Sequence, residues 1–361
     1  MSVKPIIWSA LGLLVFATGC AKDEPSEVKY DPTPYAVVTG DFPVPNLPPD
    51  NPLTQSGVQL GKMLFFETKL SLDNSMSCGT CHRQEHAFTD TNRFSLGVHG
   101  LPGKRQAMTV FNMAWNSNGF FWDGRAPLLR DQALMPIIDS LEMAETLENV
   151  VAKLTADRKY RDQFKRAFDD EPISATTISL ALEQFMLSIV SVESKYDRYL
   201  RGEAQLTTGE ERGRELFFAE YNPFFPDESG ADCAHCHSPK NFENDEYMNN
   251  GLDAEADIDD FGLELTTGLQ SDRGKMKVTS LRNIEVTAPY MHDGRFETLE
   301  EVVEHYNSGI KSSSTLDVTL ANTQQTGLML TEQDKADLVA FLKTFTDEVL
   351  LTNQEYANPF K

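Results

Sequence analysis

The stretch that decides the fold is Cys78-Gly-Thr-Cys-His82, which returns later in the chain as Cys233-Ala-His-Cys-His237. Cys-x-x-Cys-His is the attachment signature for c-type haem: two thiols add to the vinyl groups of the macrocycle, and the adjoining histidine is held under the iron. A redox dithiol, a zinc half-site or a disulfide would also use paired cysteines, but redox and zinc chemistry leave a histidine directly after both pairs unexplained. Two covalently attached haem c groups are therefore expected, on Cys78 and Cys81 and on Cys233 and Cys236, with His82 and His237 as proximal iron ligands. A large flat apolar cofactor would also supply much of the core of each surrounding module.

Outward from these motifs the chain repeats itself. Gly61-Lys-Met-Leu-Phe-Phe66 precedes the first pair of cysteines, and Gly213-Arg-Glu-Leu-Phe-Phe218 precedes the second. Trp122-Asp-Gly-Arg125 is answered by His292-Asp-Gly-Arg295. Two related modules follow from this self-similarity. Between the marks the apolar spacing is helical, as in Leu147, Val150, Val151 and Leu154, or Ile178, Leu182, Phe185 and Ile189. Capping boxes are expected at Thr208-x-x-Glu211 and Thr298-x-x-Glu301, and Asn51-Pro52 reads as an N-cap and first turn. The expected fold is mainly α: two cytochrome c-like haem domains in tandem with long loops, over residues 51–200 and 201–350, with a tail at 351–361. Residues 241–272 hold ten Asp or Glu and no Lys or Arg, and read as a solvated acidic loop.

Composition narrows the partners. The 361 residues carry 55 Asp+Glu against 32 Lys+Arg, a formal charge of −23, which argues against nucleic acid and for a partner with a basic face. The fifth cysteine, Cys20, has a separate explanation. Lys4 supplies a positive start and Ile6 to Thr18 an apolar run too short to span a bilayer, so residues 1–19 read as a secretion signal peptide. Ala17-Thr18-Gly19-Cys20 resembles a bacterial lipobox, in which the cysteine is acylated after cleavage; an ordinary signal with an incidental cysteine is the alternative. Residues 20–50 read as a Pro-rich tether, since 21–52 hold eight of the chain's 18 prolines. The expected location is the bacterial periplasm or cell envelope, with membrane contact only through a lipid on Cys20.

With both attachment motifs, Phe-Trp-Asp-Gly-Arg after the first and Ala-Pro-Tyr-Met-His-Asp-Gly after the second, residues 51–345 resemble the bacterial di-haem cytochrome c peroxidase family, which includes the MauG-type enzymes. The resemblance implies that peroxide reacts at the N-terminal haem and that the C-terminal haem relays electrons, with Trp122 between them. It also implies a distal pocket made of Gln132, Pro136 and Glu142, with Arg125 ordering the pocket or a haem propionate. Each has a bland alternative: Trp122 as a core aromatic, Gln132 as a surface amide, Glu142 as a solvated carboxylate. Where the family closes the N-terminal iron with a loop histidine, this chain has Val98, with His99 one place late, so the iron is expected to be open. At the second haem the position of the family's methionine ligand carries Tyr306, the pattern of the MauG-type branch, with Met291 or His305 as alternatives. A phenolate favours ferric iron and lowers its potential, whereas a thioether favours ferrous iron and raises it. The family's calcium site falls on Gln106 in place of an asparagine, with Thr287 and Pro289 at the carbonyl positions, so calcium stays open here.

Three activities compete on these grounds. The first is reduction of hydrogen peroxide to water with electrons from a small redox protein, a c-type cytochrome or a cupredoxin. The second is a MauG-like use of peroxide's oxidising equivalents on a protein or other substrate. The third is electron transfer without catalysis, against which Gln132, Pro136 and Glu142 argue. The first is the primary expectation.

Overall fold

The computed structural model describes residues 1–3, 27–225 and 228–361; Cys20 and nearly all of the expected signal peptide lie outside the described residues. Helices dominate, and the longest of the first half enclose one core. They are α1 (Gln55–Phe65), the one-turn α2 (Cys78–Cys81) of the attachment motif, α3 (Leu129–Ile138), α4 (Leu147–Ala156), α5 (Arg158–Phe168) and α6 (Ala175–Ser188). The short α7 (Lys195–Leu200) opens the second half, followed by α8 (Thr208–Phe218), α9 (Glu264–Thr267), α10 (Leu299–Glu304), α11 (Val318–Ala321), α12 (Thr323–Thr326), α13 (Glu332–Lys343) and α14 (Glu348–Thr352). Two-residue strands at Tyr247–Met248 and Met276–Lys277 pair antiparallel and form the one sheet among the described residues.

The duplication inferred from sequence is physical. In the first module α1 packs on α6, and a Cβ on Gly61 would stand 1.9 Å from the carbonyl oxygen of Ala181 and 2.8 Å from Cβ of Phe185. In the second, α8 packs on α13, and a Cβ on Gly213 would stand 2.0 Å from the Asp337 carbonyl oxygen and 2.8 Å from Cβ of Phe341. The repeated glycine therefore lets two helices touch backbone to backbone. The phenylalanine four residues on repeats its contact as well, Phe65 on Phe185 at 5.3 Å and Phe217 on Phe341 at 5.4 Å between ring centroids.

Several boundaries differ from expectation. Helix α8 is capped by Thr207, whose hydroxyl accepts from Glu210 N, so the capping box lies one residue before Thr208. Thr298 and Glu301 form their box as expected. The cap of α1 is Thr54; Asn51 instead is buried, its amide donating to Glu183 Oε2 at 2.7 Å. The described part of the Pro-rich segment is no free tether. Trp115 Nε1 donates to the Pro43 carbonyl, Asn46 N to Ala114 O, Phe42 is buried beside Val190 and Val192, and the Arg282 guanidinium lies over its ring. Proline-rich chain can pack when its few aromatic side chains find slots, and Phe42 does. Nor is 351–361 a loose tail. Leu350 and Tyr356 are buried in the first module's core, Gln84 Nε2 donates to the carbonyls of Leu350 and Asn353, and Lys62 Nζ to that of Gln354. Tyr196 of α7, in turn, is buried in the second core. No helix among the described residues is long and apolar enough to cross a membrane.

Candidate active site

The two attachment motifs are built alike. His82 N donates to Cys78 O and His237 N to Cys233 O, both at 2.9 Å, so each ring leaves the chain one turn past its first cysteine. Each imidazole then uses Nδ1 on a backbone carbonyl, His82 on Phe88 at 2.8 Å and His237 on Phe242 at 3.0 Å. A metal-binding histidine held in this way by Nδ1 keeps Nε2 free for the metal. Burial pushes the His82 and His237 pKa values down, His237 to about 4, so both rings are neutral at pH 7. All four motif thiols are unbridged; burial raises Cys78 and Cys233 to about 12 and Cys81 and Cys236 to about 11. Paired thiols free to add to vinyl groups and a neutral histidine with its outer nitrogen available fit c-type haem at both sites.

A cavity of about 1280 Å³ opens above the first motif. Its lining brings together Cys78, Cys81, His82, Trp122, Arg125, Gln132, Pro136 and Glu142. Helix α3 supplies Gln132 and Pro136, and the turn after it supplies Glu142, whose N donates to Asp139 O at 3.0 Å and whose carbonyl accepts from Val98 N at 2.9 Å. Gly97 lies against this turn so tightly that a Cβ there would stand 2.1 Å from the Leu141 carbonyl oxygen. Val98 thus ties its loop to Glu142, while His99 is exposed and absent from the cavity lining. Burial, then the neighbouring Asp139, raises the Glu142 pKa to about 7, opposed by Arg125.

Trp122 stands on the seam between the modules, and its opposite number in the repeat is what it meets. The Trp122 and His292 rings lie 6.4 Å apart at 70°, edge to face. Gln106 N donates to His292 O at 2.7 Å and Lys277 N to Trp122 O at 2.8 Å, so each module's chain grips the other's Asp-Gly-Arg turn. Trp122 Nε1 donates to Gln106 O at 2.9 Å, and the Gln106 amide donates to Thr89 Oγ1 and Asp90 O. No cluster of three or more His, Cys, Asp or Glu able to hold a metal ion occurs among the described residues. The acidic loop is solvated only in part: Glu246, Glu255, Asp257 and Asp259 are exposed, while Asp245 pairs with Lys277, Asp253 with Arg295, Asp260 with Arg105 and Glu264 with Arg273, which pins the loop over the cavity.

At the second motif, Tyr306 sits in a π-turn at His305–Gly309, a local widening of the helix found often at functional sites. Burial raises its pKa to about 12, with a smaller push from the Cys236 and Cys233 thiols, and Tyr306 packs against the same core as Cys233. Asn250 Nδ2 reaches the Tyr306 oxygen at 3.4 Å and Met291 Sδ at 3.3 Å. His305 is turned to the Asn250 carbonyl, 3.1 Å from Nε2. His235 is exposed near Asp232, and His86 is absent from the cavity lining.

This architecture has relatives. The methylamine utilization protein MauG of Methylorubrum extorquens is 36% identical over 303 residues, 83% of this chain and 81% of the relative. The chain belongs to the di-haem cytochrome c peroxidase family. The profile of that family matches residues 55–205. Family members with both kinds of name are similar to it: the cytochrome c551 peroxidase of Nitrosomonas europaea is 32% identical over 314 residues, 86% of each chain. A crystal structure of a MauG-like protein associated with microbial copper homeostasis superposes with a TM-score of 0.78 at 36% identity, covering 89% of this chain and 97% of that one. Membership implies two haem c groups, for which both attachment sites are suited. The residues missed at the level of sequence are His292 as the partner of Trp122, and Gln106 and Lys277 as the reciprocal clasps. Their signal was the repeat itself: Trp122 and His292, equivalent by duplication, meet across the seam.

Proposed function

We propose that this family member reduces hydrogen peroxide to water in the cavity facing His82, with electrons delivered through the second module by a small redox protein. Cys78 with Cys81 and Cys233 with Cys236 would hold the two haem groups and His82 and His237 would bind their irons, and the bound groups would supply the electron-transfer chemistry that peroxide reduction needs. The observation that carries the reading is Glu142, a carboxyl on the same cavity as His82 with a pKa of about 7. A group poised near the working pH can take a proton from one peroxide oxygen and return it to the other. Gln132 offers an amide to orient the peroxide, Pro136 restricts the room beside it, and Arg125 holds positive charge near the carboxylate. Trp122, in contact with both modules, is the electron bridge.

The sign of the pH dependence follows from the role. Glu142 must be ionised to accept the first proton, so kcat/KM for peroxide should fall by roughly tenfold per unit below pH about 7 and level off above it. In Glu142→Gln the rate should drop by about 10²–10⁴-fold and the inflection should vanish. A Glu142→Gln holo-protein as fast as the parent would remove the assignment.

Tyr306 favours a second reading. With His305 engaged by Asn250 O and Tyr306 packed against the same core as Cys233, tyrosine is the side chain best suited to be the sixth ligand at the second site. That is the MauG-type arrangement, in which oxidising equivalents are spent on a protein or other substrate. Val98 in place of the loop histidine, and the exposure of His99, support an open first site in both readings. Calcium has less to support it: it would need the Gln106 amide oxygen with the Thr287 and Pro289 carbonyls, and the described residues hold no cluster of three or more His, Cys, Asp or Glu to help bind it. Export and a lipid on Cys20 remain our reading of the N-terminal sequence, and place the protein in the periplasm or cell envelope.

A further inference from the structure

A smaller cavity of about 230 Å³ adjoins the distal end of the large one. Phe121, Met135, Pro136 and Ile138 give it apolar walls, Arg125, Asp139 and Glu142 complete the lining, and all but Met135 and Ile138 also face the large cavity. Hydrogen peroxide does not need this annex, since two oxygens occupy roughly 60 Å³ at a water's liquid share of about 30 Å³ each. One wall is stiff: the Arg125 guanidinium stacks 3.6 Å over the Phe121 ring and donates to Asp123 Oδ1 at 3.0 Å. At the opening Ile138, 55% exposed at the end of α3, stands beside the exposed Asp139.

We propose that the annex seats the apolar tail of an alkyl hydroperoxide with its oxygen–oxygen bond beside Glu142, so that the protein reduces small organic hydroperoxides as well as hydrogen peroxide. The proposal rests on the peroxidase reading and names a substrate class for the same site. The reaction balances as ROOH plus two electrons plus two protons to ROH plus water. The proton on the terminal oxygen passes through Glu142 to the alkoxy oxygen, which leaves as the alcohol when the oxygen–oxygen bond breaks. The terminal oxygen takes two electrons from the redox partner and two protons from solvent and leaves as water. The alkyl group meets apolar walls while the reacting end meets the carboxylate, the division of labour usual in small-molecule sites.

The test compares cumene hydroperoxide with hydrogen peroxide in the holo-protein, using a reduced c-type cytochrome as electron donor, for the parent, Ile138→Trp and Ile138→Gln. The parent should turn over both substrates. Ile138→Trp should lower kcat/KM for cumene hydroperoxide by about tenfold or more while leaving hydrogen peroxide unchanged, and Ile138→Gln should do the same more weakly. A second readout needs no turnover: 2-phenyl-2-propanol, the alcohol product, should show saturation-transfer NMR contact with the parent and lose it in Ile138→Trp. Reduction of hydrogen peroxide with refusal of cumene hydroperoxide and no contact from the alcohol would overturn the annex assignment. Failure to reduce hydrogen peroxide would instead overturn the peroxidase reading, and the annex would then stand or fall on the alcohol's binding.

Discussion

Glu142, in the role proposed for it, would serve the chemistry at a cost to the fold. Its folded pKa of about 7 lies above the ordinary 4.5, so the native state prefers the protonated carboxyl. By linkage its contribution to stability is full below pH 4.5 and is lost as pH rises through about 7. Glu142→Gln should therefore be more stable than the parent at pH 8, by about 1–3 kcal/mol in denaturant titration, and equal to it at pH 4. A catalytic carboxylate held at a stability cost is expected where activity and fold compete. Tyr306 makes the second residue-scale prediction: Tyr306→Met should raise the reduction potential of the C-terminal haem in a potentiometric titration, because a thioether favours ferrous iron. An unchanged potential would mean that Tyr306 is not a ligand. The attachment residues were legible in sequence because covalent attachment demands contiguous Cys-x-x-Cys-His. His292 was not, because its role depends on what faces it across the seam.

Helices α1 and α8 carry the same lesson one level up. The Gly-x-x-x-Phe-Phe pattern announced a repeat, but only packing explains the glycine, which lets α1 reach the backbone of α6 and α8 that of α13. Gly213→Val should push α8 off α13 and cost about 1–3 kcal/mol or more, with loss of the visible signature of the second haem before the first. The one-residue displacement of the α8 cap from Thr208 to Thr207 shows the limit of reading caps from sequence, since adjacent threonines offer the same hydroxyl. The π-turn around Tyr306 leaves no sequence signature; it widens a helix whose residues would otherwise continue α10.

Across the whole molecule, the two modules are bound by more than their seam. Residues 27–52 cross the first module to reach Arg282 of the second, and residues 348–360 return from the second to the first. Composition gave no hint of either, because a Pro-rich run and a short polar tail look like linkers until Phe42 and Tyr356 are seen buried. Removal of residues 353–361 should expose the first core around Tyr356 and lower the melting temperature followed at the first haem. The charge of −23 acts at this scale too. Association with a basic redox partner should slow as ionic strength rises, through the on-rate rather than the off-rate.

The central claim is that peroxide is reduced here with electrons from a partner. It is tested most directly by stopped-flow mixing of oxidised holo-protein and a reduced small c-type cytochrome with hydrogen peroxide. The account predicts that two cytochromes are oxidised for each peroxide consumed, repeatedly, at a rate that falls with Glu142→Gln. Peroxide consumed while the cytochrome stays reduced, or not consumed at all, would contradict it.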